Sequence, residues 1–165
     1  MVSRESIRYR PVTEEDTPFL RDLYATTRDQ EMEKVPWTDE EKRCFLDEQF
    51  EAQKNHYQAY YHNADFLVIQ LDGRDIGRLY LHKGEKDWCL IDIALLREMR
   101  GTGLGTMLIR ELMDDAAAAG MPVTLYVEYF NPAKRLYDRL GFQPINTNGV
   151  YFEMIWRGDT APAAT

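Results

Sequence analysis

Three glycines at alternate positions stand in the stretch Arg100-Gly101-Thr102-Gly103-Leu104-Gly105-Thr106. The nearly continuous apolar run Trp88 to Leu96 precedes them, and a helical pattern follows from about Gly103 to Ala119. A buried strand, a glycine turn and a helix start, in that order, have the physics of an anion site. Glycine lets the backbone approach a ligand closely and adopt positive φ. The first N–H groups of a helix have no partners within it, and the helix dipole favours negative charge there. Arg100 adds a cation at the rim, and a pyrophosphate suits such a cradle. The turn does not end in Gly-Lys-Ser/Thr, so it is not a Walker P-loop, and its glycines do not follow GxGxxG. Taken alone, the stretch also reads as a glycine turn with only a structural job.

A second stretch, Leu125-Tyr126-Val127-Glu128-Tyr129-Phe130-Asn131-Pro132-Ala133-Lys134-Arg135-Leu136-Tyr137-Asp138-Arg139-Leu140-Gly141-Phe142, follows about 20 residues later. The pattern Arg100-x-x-Gly103-x-Gly105 behind a buried strand resembles motif A of the GNAT superfamily of acetyl-CoA-dependent N-acetyltransferases. The second stretch is similar to that family's other signature: a strand, Asn-Pro-Ala, a short helix with Leu-Tyr, then Leu-Gly-Phe. Two motifs in the right order and spacing are far more specific than either alone. The resemblance covers roughly Asp65 to Trp156 and is diffuse before that, where the family varies with substrate.

The resemblance implies an α/β fold, with a mixed, mostly antiparallel central sheet of about seven strands, splayed in the middle, and helices on both faces. It implies acetyl-CoA as cosubstrate, no metal, and direct attack by an amine within a ternary complex. Backbone N–H groups of Gly101, Thr102, Gly103, Leu104, Gly105 and Thr106, with Arg100, would hold the pyrophosphate. The pantetheine arm would slot between Trp88–Leu96 and Pro122–Tyr129 and bond to Ile93, Ala94 and Leu95. Asn131 and Ala133 would lie near the arm's amides. Tyr137 matches the family tyrosine that protonates the leaving thiolate; its other reading is an aromatic packed on the short helix. Two departures stand out. Arg97 occupies the place where many members have proline, and the stretch from Asn131 to Tyr137 is one residue shorter than in many members, which moves Asn131 slightly off the usual position.

The chemistry explains why such parts are needed. A protonated amine cannot attack a thioester, so a base or a water chain must take a proton. The oxyanion needs a donor, which a strand N–H supplies, and the departing thiolate needs an acid. Asp92 is the only acid inside the apolar run Trp88 to Leu96. A carboxylate there must be paired or hydrogen-bonded. It reads either as a water-linked base or as the partner of Arg78 on the neighbouring strand. Glu128, beside the second motif, is a second candidate base, with surface charge as its alternative. Water alone is a third route.

The elements that must position these residues are legible from pattern. Ser6 to Val12 reads as a strand. Thr13 to Asp16 and Thr38 to Glu41 look like helix starts with an acid three after the cap. Phe19, Leu20, Leu23 and Tyr24 have helical spacing, as do Phe45, Leu46, Phe50, Tyr57, Tyr60 and Tyr61, an aromatic-rich stripe expected to pack in the core. Phe66 to Leu71, an Asp72-Gly73 turn and Ile76 to His82 form a hairpin. Pro122 to Tyr129 reads as a strand, and Asn131 as the cap of a helix starting at Pro132 and ended by Gly141. Gln143 to Ile145 and Val150 to Trp156 close the order. The expected organisation is a single domain over 5–157 with a flexible tail over 158–165.

Composition narrows the partners. The formal net charge of −8 disfavours nucleic acid and suits a cationic amine. Cys44 and Cys89 are far apart, and His56, His62 and His82 make no ligand pattern. No signal-like segment or apolar run of membrane-spanning length stands in the sequence, so cytoplasmic residence is the expectation. The segment Thr27 to Tyr61, with Glu31, Glu33, Trp37, Asp39, Glu40, Gln49 and its tyrosines, is the expected source of the acceptor site, with a small-molecule amine favoured over a protein amino terminus or lysine. A homodimer is left open. The rival readings are a non-catalytic acyl-CoA-binding sensor or partner module and a generic α/β domain with a fortuitous turn.

Overall fold

In a computed structural model that describes residues 2–129 and 131–158, strands β1 (Ile7–Pro11), β2 (Asp65–Leu71), β3 (Arg74–Lys83), β4 (Trp88–Leu95), β5 (Val123–Glu128), β6 (Gln143–Thr147) and β7 (Tyr151–Trp156) form one sheet. The hydrogen-bonded order is β1-β2-β3-β4-β5-β7-β6. The sheet is open and mostly antiparallel: β1 with β2, β5 with β7 and β6 with β7 are antiparallel, while β4 and β5 are parallel. Among the described residues five α-helices accompany them: α1 (Thr17–Thr27), α2 (Asp29–Glu33), α3 (Asp39–Tyr60), α4 (Leu104–Ala118) and α5 (Ala133–Arg139). Phe130 of the second signature and the expected tail from 159 onward lie outside the described residues. Among the described residues, no helix is long and apolar enough to cross a membrane.

Backbone contacts divide the chain into two compact units, Met1–Tyr80 with Asp92–Arg100, and Leu81–Ile91 with Gly101–Thr165. In the first unit, Thr38 caps α3 as its sequence requires: its Oγ1 accepts from Glu41 N at 3.1 Å, and Glu41 Oε1 accepts from Thr38 N at 3.0 Å. Leu20, Tyr24, Met32, Leu46 and Phe50 form a buried cluster. Met32 explains α2, a short helix that the sequence pattern does not announce. One buried methionine holds it, with neither a periodic stripe nor a capping residue. The aromatic stripe of α3 divides: Phe50 is buried, but Tyr60 is 72% exposed and stands outside the core. Tyr60 instead lies by His56, with ring centroids 4.6 Å apart.

Gly77 on β3 serves a close approach. A methyl group there would collide with the Ala94 carbonyl and with Leu95 of β4, and Leu96 N donates to Ile76 O at 2.8 Å. Only a residue without a side chain lets β4 run this near β3 at its carboxyl end.

The second unit carries the α4 stripe Leu104, Leu108, Ile109, Leu112, Met113 and Ala116, all buried. Each large member contributes about 1.5–3 kcal/mol by leaving water. β5 is paired with β7 along its whole length, from Val123↔Trp156 to Glu128↔Tyr151. Its parallel register with β4 runs only over Trp88↔Val123, Cys89↔Thr124 and Leu90↔Leu125. The buried Thr124 hydroxyl donates to Asp87 at 2.7 Å, which satisfies it. The helix after Asn131 begins one residue later than expected, at Ala133, with Asn131 Oδ1 accepting from Ala133 N at 2.9 Å.

Near β1, Arg10 grips Asp16 with two nitrogens, at 2.8 and 2.6 Å, and Thr13 N donates to the same carboxylate at 2.8 Å. The Arg10 hydrogen bonds outweigh the opposing effect of burial and hold the Asp16 carboxyl at about 2, below its usual 3.8. Because the folded value is depressed, this stabilisation is full above about pH 4 and fades as pH falls through about 2. Replacing Asp16 with Asn is expected to cost about 2 kcal/mol at pH 7. Urea titrations at several pH values should show that difference shrinking toward zero near pH 2.

Candidate functional site

Gly101 and Gly103 have φ of 74° and 86°, a region that side-chain-bearing residues rarely adopt. No atom lies within 4 Å of where a Cβ would stand at either one. The turn therefore presents bare backbone to open space. Gly103 is the residue before α4. Leu104 N reaches Thr102 Oγ1 at 3.4 Å, and Met107 N is answered by Gly103 O at 3.0 Å. The amides of Gly105 and Thr106, between them, belong to the helix's unpaired first turn. Leu104 itself is buried and anchors the turn, while Gly105 and Thr106 are half-buried. A shallow depression lined by Gly103, Thr106, Met107, Arg110, Glu111 and Asp114 runs along the first three turns of α4, with its two carboxylates at the end away from Gly103. Open space where a Cβ would go, unpaired amides and a nearby guanidinium fit a diphosphate.

Arg100 does less at the rim than its charge suggests. Its Nε donates to Leu95 O at 3.0 Å and its Nη2 to Thr26 Oγ1 at 2.8 Å. The guanidinium thus ties the turn's first residue back to β4 and α1. Of the three β4 positions expected to bond a pantetheine arm, Ala94 and Leu95 are buried and Ile93 is half-buried. The Leu95 carbonyl already shares one lone pair with Arg100.

In the second unit, Tyr137 of α5 is buried at 9% exposure. Its ring stands edge-on to Phe142, centroids 5.7 Å apart, and its carbonyl accepts from Phe142 N at 3.0 Å. These two contacts explain the Leu-Gly-Phe ending: Gly141 turns the chain so that Phe142 returns onto Tyr137. Asn131 spends its side-chain oxygen on the local turn to Ala133. Glu128 is exposed at the end of β5, and its carbonyl accepts from Asn131 N at 3.0 Å.

Asp92 belongs to the first unit. Of its two readings, the structure shows the pair. Arg78, 3% exposed, puts both Nε and Nη2 on Asp92 Oδ2 at 2.5 Å, and its Nη2 also donates to Gln53 Oε1 of α3 at 2.8 Å. The guanidinium lies 4.8 Å from the centre of the Tyr80 ring. Burial pulls the Arg78 pKa down, but the attraction of Asp92 and the neighbouring hydroxyls outweighs it, so the group is held charged. Asp92 Oδ1 has no protein partner among the described residues, and its side chain is 25% exposed.

Arg78 also floors a cavity of about 350 Å³ within the first unit. α3 supplies one wall with Phe50, Gln53, Lys54 and Tyr57, and Phe66 and Tyr80 supply the other from the sheet. Burial, then the charge of Asp92, push the Tyr57 hydroxyl pKa far above its ordinary value, and burial does the same for Tyr80. Both phenols stay neutral. Glu31, Glu33, Trp37, Asp39, Glu40 and Gln49 are not among the residues lining this cavity. Lys54 and Tyr57 line it together because they lie one turn beyond Phe50 and Gln53 on one helix face. That signal was present in the sequence as periodicity, but Phe66 and Arg78 join them only through the sheet.

The open, mostly antiparallel seven-stranded sheet is shared with solved N-acetyltransferases. The model of the acetyltransferase (GNAT) family matches residues 20–142, and the chain belongs to that family. No curated protein matches the chain. Solved structures do. A PaiA N-acetyltransferase from Thermoplasma acidophilum in complex with coenzyme A is 22% identical over 92% of this chain and 99% of that one, with a TM-score of 0.69. A spermidine N-acetyltransferase from Vibrio cholerae in complex with CoA and spermine is 19% identical over 93% and 96%, at 0.59. Naa50 of Arabidopsis thaliana, in complex with a bisubstrate analogue, is 16% identical over 91% and 97%, at 0.57. At these identities the likeness carries the fold.

The Arg78–Asp92 pair should behave as one unit. Asp92→Asn or Arg78→Met alone is expected to cost about 2–4 kcal/mol, since each strands its partner's charge. The double variant should recover much of that loss, and a double-mutant cycle by chemical denaturation measures it.

Proposed function

We propose that the protein transfers an acetyl group from acetyl-CoA to a primary amine of a small molecule, by direct attack within a ternary complex. The observation that carries this reading is the turn at Gly101–Thr106, whose positive-φ glycines leave backbone amides facing open space at the start of α4. The family match runs through both compact units, which supports residues 5–157 acting as one catalytic domain.

Acetyl-CoA, when bound, supplies an activated acyl group on a thiol leaving group. The amides of Gly101 to Thr106 neutralise its diphosphate, with Arg100 holding the turn against Leu95 and Thr26. Ile93, Ala94 and Leu95 offer strand backbone to the arm. The short β4–β5 register supports this role, because it ends at Leu90↔Leu125, before those residues. Asn131 and Ala133, at the start of α5, flank the arm's amides. Tyr137 holds the proton that the leaving sulfur needs. A phenol set into the protein on a short helix has little freedom to drift. Asp92 and Glu128 are the carboxylates available to take the amine's proton, directly or through water. Asp92 serves through its unbonded Oδ1, and Glu128 from an exposed strand end.

Calorimetric titration of acetyl-CoA tests the reading. Wild type should bind in the micromolar range. Gly103→Glu should weaken binding by about 100-fold or more, since a carboxylate would then face the diphosphate and the backbone would be strained. Absence of binding by the folded wild type would overturn the proposal. With an accepted amine in hand, Tyr137→Phe should lower kcat by about 10²-fold, in line with loss of a general acid, and leave the acetyl-CoA Kd nearly unchanged.

A further inference from the structure

The 350 Å³ cavity of the first unit has a composition that selects among amines. Its volume is near the lower end of small-molecule sites, which run from about 300 to 1,000 Å³. Two of its rings stand edge-on to a third: Phe66 to Tyr80 at 4.8 Å and 85°, and Tyr57 to Tyr80 at 5.8 Å and 87°. Such rings offer an apolar wall to a flat body and negative faces to a cation. At the inner end, Arg78 is already neutralised by Asp92. Of the other ionisable lining groups, Glu14 and Lys54 oppose one another in sign. The cavity therefore has no surplus of negative charge, and Lys54 would repel a second ammonium. Glu14 can take one ammonium and the rings take an apolar body, so the cavity suits a single ammonium on an apolar body better than a chain of several ammonium groups.

Asp92 lies outside the cavity lining, but Arg78, which lines it, holds Asp92 Oδ2. Asp92 also immediately precedes Ile93 on β4, the first of the three residues read as contacting the pantetheine arm. Arg78 thus joins the cavity to the strand read as contacting the acyl donor. This inference rests on the acetyltransferase reading above. We propose that the acceptor is a monoamine with an aromatic or bulky apolar body, and that the body fills the cavity between α3 and the β2–β3 hairpin.

Two measurements test it on the full chain, with 2-phenylethylamine as probe and spermidine as comparator. In a thiol-release assay with acetyl-CoA, 2-phenylethylamine should show a kcat/KM at least about 100-fold above that of spermidine. Thr17→Trp and, separately, Gln58→Trp, which push an indole into the cavity from α1 and α3, should raise its KM by about tenfold or more while the acetyl-CoA Kd stays the same. Two variants on different elements guard against one of them misfolding. Preference for spermidine, or an unchanged KM in both folded variants, would overturn the inference and leave acetyl transfer standing. Saturation-transfer NMR of 2-phenylethylamine with the protein decides the matter without turnover. Binding that both variants reduce supports the cavity, and no binding sinks it. Failure of acetyl-CoA to bind is a separate result that defeats the broader reading.

Discussion

A guanidinium buried to 3% exposure is the constraint around which the first unit is arranged. Arg78 is tolerable there only because three elements answer it: Asp92 from β4, Gln53 from α3 and the face of the Tyr80 ring from its own strand. Each answer fixes a position. Asp92 sets β4 beside β3, and Gly77, one residue before Arg78, supplies the bare backbone that this closeness requires. Gln53 sets the rotation of α3, so that Phe50 turns into the core while Tyr57 borders open volume. The pair is costly to bury and costly to break, which makes it a device for geometry more than for stability.

The second unit is organised around what side chains leave out. Its turn works through amides, positive φ and the absence of Cβ atoms, and its α4 stripe of leucines holds that turn in place through Leu104. Tyr137 follows a different logic, since a short helix has little rigidity of its own. Phe142 returning across the ring and Phe142 N bonding the Tyr137 carbonyl supply what the helix lacks.

This contrast explains which features were legible in the sequence. The glycine turn, the Thr38 capping box, the Asp72-Gly73 hairpin and the strand boundaries are local, so residue type and spacing suffice to read them. Arg78 as a partner of Asp92 was one of two readings, because two strands of a hairpin-like order bring their residues opposite one another. Helix α2 was missed because a single buried methionine, Met32, holds it without periodicity. Tyr60 was misplaced for the opposite reason: it keeps the period of α3, but that helix outruns the core it packs on. The direction of Arg100 was hidden too. Nothing local says that its guanidinium turns back to Leu95 and to Thr26, some 74 positions earlier in the chain. The cavity combines one helix face with two strands, and no window of sequence contains it.

The two outermost strands share a trait with a consequence for how the sheet meets its surroundings. β1 ends on Pro11, and β6 carries Pro144 with its pairing to β7 shifted between Pro144 and Asn146. A proline has no N–H to give, and a shifted register bends the row in which a visiting strand would have to align. All five residues of β6 are exposed, yet this rim is a poor template for another copy of itself. The protein thereby keeps this short exposed rim without inviting the strand-by-strand growth that leads to fibres.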